Sequence, residues 1–326
     1  MIIFDIHPNH SIAHQGVIET MRSRWTHNPY ALMAILLVLW GSFAAVSKWT
    51  LQGIASWQMQ LYFFGMAMVA LLAMLPFGGR WRQLAGIGRG RALRLAGTGF
   101  VSYLYYVCYT SALKFIPAVE ASMLNYLFPI AVVVFAVRLN REKMTPAKSL
   151  LIVSGLIGTV VIITDGNLLG FGFTNLWGDL LALAGALLWG LFSNLGKRDD
   201  SPLYVSVFVY VAVSFICSLF SLALFSEWIW PDAGVLAGIG WLSLSNVVLC
   251  YFIWFRALKI SSAALVSGLS YLTPFVTLLF IVALLDESMS WLQLAGFLWI
   301  LLSVYVQSRI DRPKPEASSG GVPIQR

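Results

Sequence analysis

Ser122-Met123-Leu124-Asn125-Tyr126-Leu127-Phe128-Pro129 returns 145 residues later as Ser267-Gly268-Leu269-Ser270-Tyr271-Leu272-Thr273-Pro274. The same offset carries Ala112-Leu113-Lys114 onto Ala257-Leu258-Lys259 and Glu142-Lys143-Met144-Thr145 onto Glu287-Ser288-Met289-Ser290. Upstream, Leu39-Trp40-Gly41-Ser42-Phe43 with Lys48 reappears as Leu188-Trp189-Gly190-Leu191-Phe192 with Lys197, at an offset of 149. Apolar residues coincide by chance in a chain this hydrophobic, but Lys, Tyr, Pro and Glu do not coincide together. The chain is an internal duplication.

Both copies of the eight-residue stretch lie inside apolar runs and end in proline. Proline inside a helix donates no hydrogen bond and strands the carbonyl four residues earlier, which belongs to Asn125 in one copy and Ser270 in the other. In lipid a freed carbonyl persists only where protein, a polar side chain or water satisfies it. A single such proline is read as a simple kink. Two matched prolines, Pro129 and Pro274, each with a polar residue at the freed position and a tyrosine beside it, are read as paired kinks lining a cavity.

Composition sets the solvent. With 59% hydrophobic and 11% charged residues the chain is no ordinary soluble domain. Apolar stretches of about 20 residues fall at 30–50, 56–76, 93–114, 117–138, 147–165, 176–196, 203–225, 235–257, 262–284 and 289–309, which predicts ten membrane helices. If the N-terminus is cytoplasmic, every Lys and Arg of the 21 falls on the inside except Lys48 and Lys114. Positive-inside bias then places both termini in the cytoplasm of a bacterial inner membrane. The basic residues form no single solvated face, so the net charge of +7 does not indicate nucleic acid. Cys108, Cys217 and Cys250 sit in apolar segments without metal-like spacing and read as small core residues.

Five spans per copy is an odd number, so the second copy enters the membrane from the opposite side. Inverted repeats of this kind place a substrate site at their interface near the bilayer midplane. The expected organisation is a cytoplasmic segment at 1–28, a first repeat at 29–166, a second at 167–310 and a disordered cytoplasmic tail at 311–326.

On these features the chain resembles the drug/metabolite transporter superfamily, of the EamA type with two five-helix repeats, across residues 30–309. Val119-Glu120, Met123 and Asn125-Tyr126-Leu127-Phe128-Pro129 are similar to the YddG-type aromatic amino-acid exporters, which carry N-Y-L-W-P there; Phe128 stands where they have Trp. Phe100-Val101-Ser102-Tyr103 and Leu39-Trp40 also look like that group. The resemblance implies a central cavity open to one side at a time and export of small metabolites, with neutral and aromatic amino acids the first expectation. Another small metabolite or a drug-like solute is the alternative, followed by a scaffold or receptor role.

Candidate substrate contacts follow from depth and from the duplication. Trp40, Tyr103, Tyr106, Tyr126 and Trp189 fall near span centres rather than in an interfacial belt, and Tyr271 is the repeat mate of Tyr126. Asn125, Ser270 and the carbonyls freed by the prolines are expected to hold a polar end, and Phe128 joins the set through the motif. Glu120, at the outer start of the fourth span, is read as an interfacial ion-pair partner of Lys114, with proton coupling as its other possible role. No histidine lies in any span and no acids meet mid-membrane, so hydrolytic chemistry has no nucleophile–base pair, acid dyad or metal site. The reading is a monomeric transporter, not an enzyme, with no cofactor, whose partners are a small-molecule substrate and the bilayer.

Overall fold

The computed structural model describes residues 27–51, 53–116, 118–167, 174–225, 227–277, 279 and 290–310. The expected cytoplasmic tail, nearly all of the N-terminal segment, the end of the ninth predicted span and the Glu287-Ser288-Met289 repeat of Glu142-Lys143-Met144 lie outside these residues. Among the described residues all regular structure is helical. We number the helices α1 (Pro29–Thr50), α2 (Ser56–Met74), α3 (Arg80–Ala85), α4 (Arg89–Ala112), α5 (Ala118–Asn125), α6 (Phe128–Asn140), α7 (Pro146–Thr164), α8 (Leu176–Arg198), α9 (Leu203–Phe225), α10 (Ala233–Ile260), α11 (Ala263–Ser270) and α12 (Trp291–Ile310).

Their boundaries follow from local chemistry. Pro29 and Pro146 occupy first-turn positions, where a missing N–H costs nothing, and the caps before them are Asn28 and Thr145. Asn175, Asp232 and Ser262 cap α8, α10 and α11 by accepting first-turn amides, an arrangement worth about 1 kcal/mol each. Among the described residues seven helical stretches are long and apolar enough to cross a membrane, one of them, Met123–Asn140, running across the α5–α6 break, and two shorter apolar stretches, Pro29–Phe43 and Ala263–Thr277, accompany them. The 24-residue α4 begins with Arg89, Arg91 and Arg94, which lowers its average apolarity although its length, about 36 Å at 1.5 Å per residue, is ample.

The duplicated stretches break their helices as the prolines require. The fourth span splits into α5 and α6 at Tyr126-Leu127, and α11 stops at Ser270 before helix resumes at 273–277. In the second copy the freed carbonyl has a partner: Thr273 Oγ1 donates to the Ser270 carbonyl at 2.7 Å.

Packing repeats the duplication. α4 lies on α8 as its counterpart α10 lies on α1, and α4 meets α9 as α10 meets α2. The pairs α2–α9 and α7–α12 join each element to its own counterpart, while α6, from the broken fourth span, packs on α11, from the broken span that matches it. Exchanging the halves therefore preserves these contacts, as expected of two repeats packed about a pseudo-two-fold axis. Small residues permit the closest approaches. Ala182, Ala186 and Gly190 form the buried stripe of α8, and a Cβ built on Gly190 would sit 2.6 Å from Ala131 Cβ on α6.

One end of the bundle gathers the basic residues. There Lys197, at the end of α8, pairs with Glu142 at 2.5 Å and donates to the Ser261 carbonyl, while Glu142 accepts the amide of Ala263. Arg80 lies over the Tyr204 ring at the start of α9. We call this the basic end.

Candidate functional site

Four rings from four helices meet at the centre of the bundle. Trp40 of α1, Phe128 of α6, Trp189 of α8 and Trp254 of α10 touch in every pairing, with centroids 5.3–6.4 Å apart. The Trp40–Trp189 contact, 5.8 Å and edge-on, joins the two tryptophans that the duplication relates. Side chains related by the exchange touch only near its axis, so this cluster marks the junction of the repeats. Edge and tilted geometry is the favoured arrangement of aromatic quadrupoles, worth about 0.5–1.5 kcal/mol per pair beyond burial.

On the side of this floor away from the basic end lies a cavity of about 120 Å³. Trp40, Phe43, Tyr105, Tyr106, Tyr109, Tyr126, Phe128 and Trp189 supply its rings, and Asn125, Asn246 and Thr273 its polar groups. Tyr105 bridges the wall, 4.9 Å from both Trp189 and Tyr106, and Tyr106 is seated on Phe63 and Phe64 of α2. None of these eleven side chains carries a charge at neutral pH. Three buried polar atoms on them lack a hydrogen-bond partner: Asn125 Oδ1, Asn246 Oδ1 and Trp189 Nε1. Buried polar groups are mostly satisfied; of the unpartnered ones in this bundle, these three belong to residues that line the cavity, where an entering solute can meet them.

Below the floor the bundle is closed. Trp254 Nε1 donates to Ser193 Oγ at 3.0 Å, and Ser193 donates to the Trp189 carbonyl. At the next residue, Asn194 Nδ2 donates to the carbonyls of Val132 and Gly190, and Asn194 Oδ1 accepts from Asn140 Nδ2 at 2.7 Å. The Lys197–Glu142 pair follows at the surface. Aromatic floor, amide network and ion pair thus stack between the cavity and the basic end.

Of the residues expected in the site, the structure brings together Trp40, Tyr106, Asn125, Tyr126, Phe128 and Trp189. Tyr103 turns to α9, where its hydroxyl meets Ser221 Oγ. Ser270 is fully buried and donates to the Ser267 carbonyl at 2.6 Å. Tyr271 is also fully buried, with its ring against Gly155 of α7. The second kink reaches the cavity through Thr273 instead, and Pro129 and Pro274 are both buried behind the breaks they cause.

Asn246 was not legible in the duplication, because its counterpart at the 145 offset is Val101. It sits in a π-helical segment, Ser243–Leu249, within α10. Such segments insert one residue into the α-ladder and recur at functional sites. Asn246 Nδ2 donates to Ser245 Oγ at 2.8 Å, and Ser245 donates its own hydrogen to the Trp241 carbonyl. Ser245 Oγ can then only accept from Asn246, which fixes the amide orientation and leaves Oδ1 as the free atom.

Glu120 lies away from the cavity, at the end opposite the basic one. It is 2% exposed and accepts both the amide and the hydroxyl of Thr174 at 2.8 Å. The expected ion pair with Lys114 is not formed: Lys114 instead lies over the Trp57 ring, 5.4 Å from its centroid. The amide and hydroxyl of Thr174 already satisfy the carboxylate where an exposed lysine would have given little. Among the described residues no group of three His, Cys, Asp or Glu is placed to hold a metal ion.

Comparison with known proteins agrees with this architecture. The model of the EamA-like transporter family matches the chain twice, over residues 28–164 and 176–309. A protein of Ancylobacter novellus named aromatic amino acid exporter YddG is 30% identical over 227 residues, 65% of this chain and 78% of the relative. An uncharacterized transporter of Archaeoglobus fulgidus is 25% identical over 291 residues, 85% of this chain and 96% of its own length. A crystal structure superposes with a TM-score of 0.75 at 23% identity, covering 87% of this chain and 97% of its own, and shares the fold. Two family matches, one per repeat, on an all-helical bundle with membrane-length apolar helices make this chain a member of the EamA-like transporter family, a membrane transporter and not an enzyme.

Proposed function

We propose that this chain exports neutral and aromatic amino acids across the bacterial inner membrane by alternating access through the ring-lined cavity. The observation that carries the reading is the cavity itself: eight aromatic rings enclosing two orphan amide oxygens and one orphan indole N–H. Rings suit a flat apolar side chain, while acceptors and a donor in the same wall suit an ammonium and a carboxylate. The name of the Ancylobacter novellus relative points the same way. Positive-inside bias identifies the basic end with the cytoplasm and places both termini there. The structure then represents the state closed to the cytoplasm, and a monomer contains the whole site.

Transport in this reading is facilitated diffusion. The cavity lining has no acid or histidine, and Glu120 is engaged by Thr174 away from it. Purified protein in proteoliposomes, loaded in turn with aromatic, aliphatic and charged amino acids, tests both statements. Aromatic amino acids should leave saturably, down their gradient, with no imposed pH difference, and Glu120→Gln should transport without any new pH dependence. Efflux that requires a pH gradient and is abolished by Glu120→Gln would make Glu120 the proton relay. Absence of saturable flux for every amino acid would overturn the substrate assignment.

A further inference from the structure

We infer that the cavity selects primary arylalkyl ammonium ions as a class, amino acids among them, and that Asn246 sets this selectivity. The inference rests on the reading of this cavity as the transport site. The two orphan amide oxygens, Asn125 Oδ1 and Asn246 Oδ1, accept hydrogen bonds and cannot donate them. Asn246 is 3% exposed, and the Ser245 and Trp241 chain prevents its amide from turning over. Around both oxygens stand the faces and edges of aromatic rings. Ring faces carry negative potential and attract a cation, ammonium included, most strongly when water is excluded.

A carboxylate finds the opposite field. The lining holds no Lys, Arg or His, and its one fixed orphan donor is Trp189 Nε1. The tyrosine hydroxyls donate or accept equally and do not discriminate. An ammonium therefore meets two acceptors, one of them held in orientation at Asn246, and favourable ring faces, whereas a carboxylate meets one fixed N–H and unfavourable faces. The ammonium is the end the site requires, and the carboxylate is carried along. Because amide oxygens need N–H partners, a primary amine fits and a quaternary one loses both bonds.

Binding of tryptophan, tryptamine and indole-3-propionate to the purified full chain in detergent, measured by calorimetry, separates the contributions of the two ends. Tryptamine should bind at least as tightly as tryptophan, and indole-3-propionate at least about tenfold more weakly, the scale of a lost hydrogen bond to a charged group. Asn246→Leu, similar in size to asparagine, should weaken tryptamine by about tenfold and leave the weak acid unchanged. If that variant does not fold, Asn246→Ser gives the same readout with a smaller side chain. Should tryptophan and indole-3-propionate bind while tryptamine does not, or all three bind equally, the inference is overturned and the transport-site reading stands. If none of the three binds, the transport-site reading fails and the inference falls with it.

Discussion

Trp189 shows at the scale of one residue how this site trades stability for recognition. Its ring is 5% exposed and touches Trp40, Tyr105, Phe128, Phe192, Tyr251 and Trp254, yet its Nε1 has no acceptor. Leaving a buried donor unpaired costs about 1–3 kcal/mol. Trp189→Phe keeps a ring and removes that donor. The variant should melt no lower than the parent in detergent, because the relieved donor offsets the lost packing. Its affinity for tryptophan should fall by about fivefold to tenfold, while tryptamine, which has no carboxylate for Nε1, should be little affected. A lower melting point with unchanged affinity would make Trp189 a packing residue only.

Among elements, α8 and α6 pack closely between the cavity and the basic end. Gly190 lets the backbones meet: its Cβ would lie 2.6 Å from Ala131 Cβ and 2.7 Å from the Ala131 carbonyl carbon, and backbone cannot rotate away. Gly190→Ala should destabilise the protein by about 1–3 kcal/mol, read as a drop of several degrees in a thermal unfolding scan in detergent. The same two helices end in the Lys197–Glu142 pair, fastened to the start of α11 through Ser261 and Ala263. Glu142→Gln removes the charge that holds Lys197. In a background lacking Cys108, Cys217 and Cys250, a cysteine replacing Asn140 beside the pair should then react several-fold faster with a maleimide. Exchanging the charges, Glu142→Lys with Lys197→Glu, should restore slow labelling only in part, since the Ala263 amide and Ser261 carbonyl would each face the wrong partner. Equal rates in all three proteins would show that the pair does not hold this end closed.

For the whole molecule, orientation decides what the closed basic end means. The odd number of spans expected in each repeat gives two repeats of opposite sense, and positive-inside bias then chooses between the two ways of inserting them. A cysteine replacing Arg89, at the start of α4, should be spared by an impermeant reagent on intact cells. One replacing Asp232, the N-cap of α10, should be labelled. The reverse pattern would turn the proposed exporter around, with the cavity opening to the cytoplasm.

Helix class, family and the repeat were legible in the sequence because lipid leaves a chain few options. Every backbone polar group must be satisfied within its own segment, so apolar length and proline position translate directly into helices and breaks. Pairing Trp40 with Trp189 needed only the duplication, since residues on an axis meet their own copies. Side-chain direction at the kinks was another matter. Tyr126 and Tyr271 hold equivalent places in the sequence, but Gly155 on α7 gives Tyr271 a slot and draws its ring away from the cavity. Thr273, not Ser270, then presents the second copy's polar group there. Asn246 was hidden for a different reason: a π-turn changes which face a residue occupies, and no periodicity read along α10 reveals where one falls. The sequence by itself determined the elements and their duplication, through backbone satisfaction in lipid. Only the tertiary structure decided which side chains share the cavity, because that depends on space left by neighbours distant in the chain.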